Sequence, residues 1–491
     1  MEEYILSIDE GTTNVKTALF NRQGQYIHGA SQALSMLHPQ QGWSEQDPEQ
    51  ILNALKISVQ ECTQGIGRSS LKGIAISNQR ESVLVWDRQT GKAVVPLISW
   101  QCHRSTEACS QLVRAGKEEV IYGKTGLMID PLFPAAKLSM TLDTLPDARQ
   151  MLSSGKWLVG TVDAWLLWHL TDGAVFATDV SNASRTQLFN IHEQCWDKEL
   201  LALFDIPERC LPDVKSSSSN FGVVKAFSPE INGLPIISMI GDSHAALYGH
   251  TNFAEGVKAT YGTGSSLMAP IPSPLVVTDK NLATTVAWQD GEGTSYALEG
   301  NISHTGAAVG WMNSILQGVK PEDLASIPAS LEDNGGVYFV PALSGLGAPH
   351  WYPDAKGIIC GLTDSVTKEH LIRAALESIA FQIMDVFNEM ERVKGETLTQ
   401  LFVDGGPTAN SWLMQFQADL LNRPIVRSKV PEVSALGAAY LGGLTLGWWK
   451  DHSDICALDR HIDKFEPNPS PIHAKAIEGW KNALAKCLAE A

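Results

Sequence analysis

Short apolar runs that end in small or acidic residues recur along the chain, and the elements can be read from them. Tyr4–Ile8 leads into Asp9-Glu10-Gly11-Thr12-Thr13, and Thr17–Phe20 follows before the Asn21–Gly24 turn, which predicts a β-hairpin with a polar tip. Gln25–Ala30 supplies a third strand, and Asp47-Pro48 opens a helix with an apolar side of Ile51, Leu52, Leu55, Ile57 and Val59. Further strands are expected at Gly73–Ser77, Val94–Ser99, Trp157–Thr161 and Pro235–Ile240, with a helix over Ser105–Ala115. The second half repeats the plan. Val257–Thr260 ends in Tyr261-Gly262-Thr263-Gly264, a second strand begins near Leu267, and strands follow at Ser295–Leu298, Val337–Pro341 and Leu401–Val403. Helices are read at Ser303–Leu316, Lys368–Arg392 and the small-residue stretch Ser434–Tyr440. One polar-tipped hairpin in each half predicts an α/β fold of two duplicated domains, with mixed sheets flanked by helices and a cleft between them.

The chemistry gathers where strands end. Gly11 lets an anion approach the backbone, Thr12 and Thr13 offer hydroxyls, and Asp9 is placed to hold a hydrated Mg²⁺. An ordinary polar turn accounts for the same residues. Arg80-Glu81, after a central strand, can read vicinal hydroxyls because the guanidinium donates and the carboxylate accepts; a structural ion pair is the plain alternative. Asp242 stands at a strand-to-helix junction, where an acid serves equally as N-cap or as a displayed general base. His244 is read as a helix-start residue facing the core, and Trp165 and Trp168 as core. The Gly405-Gly406 pair before a helix suits an anion or a purine. Gly116 to Gly123-Lys124-Thr125 has six intervening residues where a Walker loop needs four, and no Gly-x-Gly-x-x-Gly occurs.

Composition narrows the class. A chain of 491 residues suits two domains, and a formal charge of −17 argues against a nucleic acid or an anionic membrane as partner. No apolar run approaches a membrane span, and no signal peptide is visible. The eight cysteines are scattered without zinc-ligand spacing, which with the preceding signs suggests reduced thiols and a cytoplasmic address.

The ordered set Asp9-Glu10-Gly11-Thr12-Thr13, Asn78-Gln79-Arg80-Glu81, Trp100-Gln101-Cys102, Asn182-Ala183-Ser184-Arg185-Thr186, Gly241-Asp242, Tyr261-Gly262-Thr263-Gly264 and Asp404-Gly405-Gly406 through Asn410 resembles the FGGY carbohydrate kinases, and within them the glycerol kinases. The resemblance implies two domains of the actin/hexokinase/Hsp70 (ribonuclease H-like) superfamily, residues 1–248 and 249–491, with ATP and Mg²⁺ in the cleft. It implies that Thr12, Thr13, Asn14 and Lys16 face the phosphates and that Thr263, Gly306, Gly310, Gly406 and Asn410 line the ADP side. Arg80, Glu81, Trp100 and Asp242 would line the acceptor side, with Asp242 as general base.

The departures concern the acceptor. Leu132 stands where glycerol kinases usually have tyrosine, Ser243 where they have glutamine and Ser266 where they have phenylalanine. Lys16 replaces an arginine, and Glu10 a glutamine. The expectation is an ATP-dependent kinase acting on a primary hydroxyl of a polyol or ketose of four to six carbons. Ser243 and Ser266 would bond its extra hydroxyls. Glycerol as the substrate is one alternative, and a non-catalytic nucleotide or sugar sensor is another. A homo-oligomer, dimer or tetramer, is compatible with this reading.

Overall fold

Tyr4–Glu10 (β1) is buried along nearly its whole length, as a strand flanked on both sides must be. It pairs antiparallel with Asn14–Asn21 (β2), which pairs with Tyr26–Ala33 (β3), the half-exposed edge. After the helix Pro48–Cys62 (α1), Leu71–Asn78 (β4) lies parallel to β1, and Ile236–Gly241 (β5) lies parallel to β4. The order is β3-β2-β1-β4-β5. The coordinates, a computed structural model, describe residues 2–250, 253, 256–275, 279–316, 324 and 326–489.

The helix Asp242–Gly249 (α2) leads into the second half. There Val257–Tyr261 (β6), Ser265–Ile271 (β7), Ala283–Asp290 (β8) and Gly293–Ile302 (β9) precede the helices Gly306–Leu316 (α3) and Lys368–Lys394 (α4). Leu401–Asp404 (β10), the helix Ser411–Leu421 (α5), Ile425–Ser428 (β11), the helix Val433–Thr445 (α6) and Ile462–Phe465 (β12) follow. Their sheet runs β8-β9-β7-β6-β10-β11-β12. Its inner five strands, β9-β7-β6-β10-β11, repeat the order and the directions of β3-β2-β1-β4-β5. The duplication read from the two hairpins is therefore present strand for strand.

α2, the last helix of the first half, crosses α6 of the second where the halves join. A Cβ on Gly437 of α6 would stand 1.8 Å from the Ala245 carbonyl oxygen of α2, and one on Gly249 2.5 Å from that of Val433, so both positions need glycine. α6 also lies on the N-terminal sheet, where Ser7 and Ser238 donate to the carbonyls of Ala435 (2.7 Å) and Ala438 (2.8 Å). The small-residue stretch does pack against a sheet as expected, and the sheet belongs to the other half.

Some expectations change. The strand read at Val94–Ser99 shortens to Leu97–Ile98, because Pro96 has no N–H to give a ladder. Ile57, assigned to the apolar side of α1, faces solvent. β8 and β11 lie outside the sequence reading. β8 reads Ala-Thr-Thr-Val-Ala-Trp-Gln-Asp, without clean alternation, and its polar side is covered by the other half through Ser184 and Thr285 (2.8 Å).

Candidate active site

Strand register builds the site. Asp9 of β1 lies beside Ser77 of β4, which lies beside Ile240 of β5; one step on, Glu10, Asn78 and Gly241 form the next row. The chain leaving each strand then puts Gly11, Gln79 and Asp242 at one sheet edge. Asn78 is held there by Asn182, the two amides exchanging hydrogen bonds of 3.0 Å.

Of the residues expected to meet the acceptor, the structure brings Arg80, Glu81 and Asp242 together, but the adjacent pair is not the close one. Arg80 Nη1 stays 3.9 Å from Glu81 Oε1, while Arg80 Nε donates to Asp242 Oδ1 (3.1 Å) and Nη2 donates to Glu299 Oε1 (2.8 Å). Glu81, at a left-handed φ of 61°, turns instead to Arg185, whose Nε lies 2.5 Å from its Oε1. Arg185 and Glu299 are fully buried, and Nη1 of the one lies 2.6 Å from Oε2 of the other. Although burial opposes its charge, Glu299 is held well below the usual carboxylate range by Arg185 and Arg80. The side chain of Asp242 is 38% exposed, those of Arg80 and Glu81 only 7% and 6%. Asp242 starts α2, and its Oδ1 also accepts from the Ser243 N–H (2.6 Å).

The remaining acceptor-side residues diverge. Trp100 Nε1 donates to Thr12 Oγ1 (2.8 Å), so Trp100 touches the first hairpin. Leu132 is half-buried with Leu127, Phe133 and Ala283. The Ser266 hydroxyl, expected to meet the acceptor, donates to Glu299 Oε1 (3.0 Å). His244 is fully buried against Thr285 (3.2 Å), in line with the core reading.

The first hairpin is tight: the Gly11 N–H donates to the Asn14 carbonyl (2.9 Å), and Asn14 Nδ2 to Thr13 Oγ1 (3.0 Å). Asp9 accepts from Ser77 (2.8 Å), and burial, with the negative charges of Asp242 and Glu432, pushes its carboxyl up to about 6. Glu10 is buried against Gln79 (2.9 Å), and burial pushes it up to about 8. Burial thus favours its neutral form. Lys16 is paired with Glu432 of the other half (2.9 Å).

The residues expected on the nucleotide side lie as follows. Thr263 is exposed, and its carbonyl accepts the N–H groups of Thr305 and Ala307 (both 3.0 Å). Gly306 packs beneath it, where a Cβ would come within 2.6 Å of the Gly262 carbonyl oxygen. At Gly310 and Gly406 a Cβ would meet nothing within 4 Å, so these two open onto free space. Asn410 caps α5, accepting from the Leu413 N–H (3.2 Å).

The sequence profiles for the FGGY family of carbohydrate kinases match residues 4–249 (N-terminal domain) and 257–446 (C-terminal domain). The chain belongs to this family. It is an ATP-dependent sugar or polyol kinase with the actin/hexokinase-like fold. This carbohydrate kinase is 50% identical to the apulose kinase of Pectobacterium atrosepticum, with 98% of each chain covered, and 45% identical to the glycerol kinase of Pseudothermotoga lettingae, with 99% of each covered. Plasmodium falciparum glycerol kinase, solved with ADP, is 34% identical and superimposes with a TM-score of 0.92 over 99% of this chain and 98% of that one. Among the described residues of the kinase no helix is long and apolar enough to cross a membrane. The sequence reading missed Glu299 and Gln79 as site residues. Arg185 lay inside a quoted motif, but nothing in the linear sequence ties it to Glu81.

Proposed function

We propose that this kinase transfers the γ-phosphoryl group of ATP to a primary hydroxyl of a polyol or ketose of four to six carbons, apulose being the first to test, with Asp242 as general base. One observation carries the reading: Asp242 is the open end of an otherwise buried chain of charges, and its carboxylate is fixed by Arg80 at 3.1 Å. A carboxylate so held can accept the hydroxyl proton as that oxygen attacks, while Arg80 and Glu81 orient the acceptor and make transfer effectively unimolecular. The Trp100–Thr12 contact supports the same reading, because it joins the acceptor side to the hairpin where the phosphates would lie.

Asp9 fits a hydrated Mg²⁺. Its raised carboxyl shares the cleft with Asp242 and Glu432, a crowding of negative charge that a cation relieves, and no direct cage of three His, Cys, Asp or Glu exists among the described residues. When bound, the ion would neutralise charge on the phosphate oxygens. Thr12, Thr13 and Asn14 would hold the phosphates, and Thr263, Gly310 and Gly406 the rest of the nucleotide. Lys16 would turn from Glu432 to the phosphates when ATP enters.

Leucine at 132 favours a longer acceptor than glycerol, since it lacks a phenol's reach and hydroxyl. The reading carries a cytoplasmic address and a domain boundary at 248/249. The test is ADP release by purified protein with apulose, other ketoses and polyols of four to six carbons, and glycerol. A higher kcat/KM for at least one of the longer acceptors than for glycerol is expected. Preference for glycerol over all of them overturns the substrate assignment.

A further inference from the structure

Five charges alternate in sign through the acceptor side: Asp242, Arg80, Glu299, Arg185 and Glu81. Four come from the N-terminal half. The middle one, Glu299, comes from β9 of the C-terminal half, is fully buried, and binds both arginines. Its partner Ser266 is set by register: β7 and β9 pair Ser266 with Asn301 and Met268 with Glu299, so Ser266 and Glu299 are diagonal neighbours on one face. The Ser266 hydroxyl and Arg80 Nη2 therefore donate to the same oxygen, Glu299 Oε1, at 3.0 and 2.8 Å.

We infer that Glu299 is a positioning residue for the acceptor, and that Ser266 acts on acceptor binding through Glu299 and Arg80 rather than by lining the pocket. Glu299 holds Arg80 through Nη2 while Asp242 holds it through Nε, and together they fix the plane of the guanidinium that would meet the acceptor hydroxyls. The serine donor keeps Oε1 aimed at Arg80. A phenylalanine at 266 could donate nothing, so the residue that distinguishes this chain there alters how the guanidinium is held. The inference rests on the proposed acceptor role of Arg80.

The experiment compares the full-length protein with Ser266→Ala, Ser266→Thr and Glu299→Gln, varying apulose, a panel of ketoses and polyols, and glycerol at saturating ATP, and then varying ATP. Loss of one hydrogen bond to the Glu299 carboxylate, which both arginines still hold, predicts that Ser266→Ala raises KM by about three- to tenfold for every acceptor used, with their ranking unchanged. Ser266→Thr restores the parent KM, and the KM for ATP stays within about twofold. Glu299→Gln, which removes the charge between two guanidiniums, lowers acceptor kcat/KM by a further tenfold or so. Should Glu299→Gln not fold, the Ser266 pair decides alone. A reordered acceptor ranking in Ser266→Ala shows direct lining and overturns the inference, as does a lowered Tm with unchanged acceptor KM. A parent enzyme that prefers glycerol defeats the substrate assignment yet leaves this comparison intact.

Discussion

At the scale of single residues, the site depends on charged groups placed where water is scarce. Asp242→Asn keeps the shape and the contact with Arg80 but cannot take a proton. Turnover should fall by on the order of 10²–10⁴ with nucleotide affinity retained, measured by steady-state kinetics and calorimetric titration of nucleotide. Near-parental turnover would remove Asp242 from the chemistry. Lys137 shows the cost of burial in a different way. It lies in the helix Pro134–Asp143, fully buried, and donates to the carbonyls of Ser99 (3.0 Å) and Trp100 (3.4 Å), which anchors the Trp100 turn. Burial pushes its ammonium down to about 8, against the opposing pull of Cys102, Glu81 and Asp130 and with the help of Arg104. Because the folded value lies below the unfolded one near 10.4, the unfolded chain keeps a proton that the folded chain sheds between about pH 8 and 10. Stability from this group therefore rises with pH through that window, by on the order of a few kcal/mol, and its cost is complete below it. Relative to Lys137→Met, the parent should gain Tm between pH 8 and 10; a difference independent of pH counts against the assignment.

At the scale of elements, the crossing of α2 and α6 ties the two halves together and sets where Asp242 stands. Gly437→Ala would put a methyl 1.8 Å from the Ala245 carbonyl oxygen, and backbone on both sides gives it nowhere to go. The helices must part, at a cost of about 1–3 kcal/mol or more. Because α2 begins at Asp242, activity should fall along with Tm. Differential scanning and kinetics on one preparation test this, and an unchanged Tm would mean that the crossing is more yielding than its geometry implies. The strand-to-helix junction at Gly241-Asp242 was legible from its apolar run and its glycine. The crossing was not, because Gly437 and Gly249 in sequence show only two small residues, and the clash they avoid is made by a distant helix.

At the scale of the whole molecule, Lys16 and Glu432 join the first hairpin to the start of α6 of the other half. The pair is partly solvated, at 36% and 23% exposure, so it contributes about 1 kcal/mol or less. Nucleotide would have to draw Lys16 away from it. Glu432→Gln should therefore lower the KM for ATP by up to about fivefold and scarcely move Tm. A higher KM would show that Glu432 assists nucleotide binding instead.

The sequence by itself determined the duplicated plan, the two polar-tipped hairpins and the family, because each is written in contiguous residues: an apolar run, then Asp9-Glu10-Gly11-Thr12-Thr13 or Tyr261-Gly262-Thr263-Gly264. It also singled out Arg80, Glu81 and Asp242, which stand at strand ends where the motif and the chemistry coincide. What each of them binds was decided only by the tertiary structure. Arg80 reaches Asp242 and Glu299 rather than its neighbour Glu81, and Glu81 turns at φ 61° to Arg185. Ser266 turns to Glu299 because β7 and β9 set them diagonally on one face. Pairings of this kind depend on which strands adjoin and in what register, and buried charges take whichever opposite charge the packed halves bring within reach.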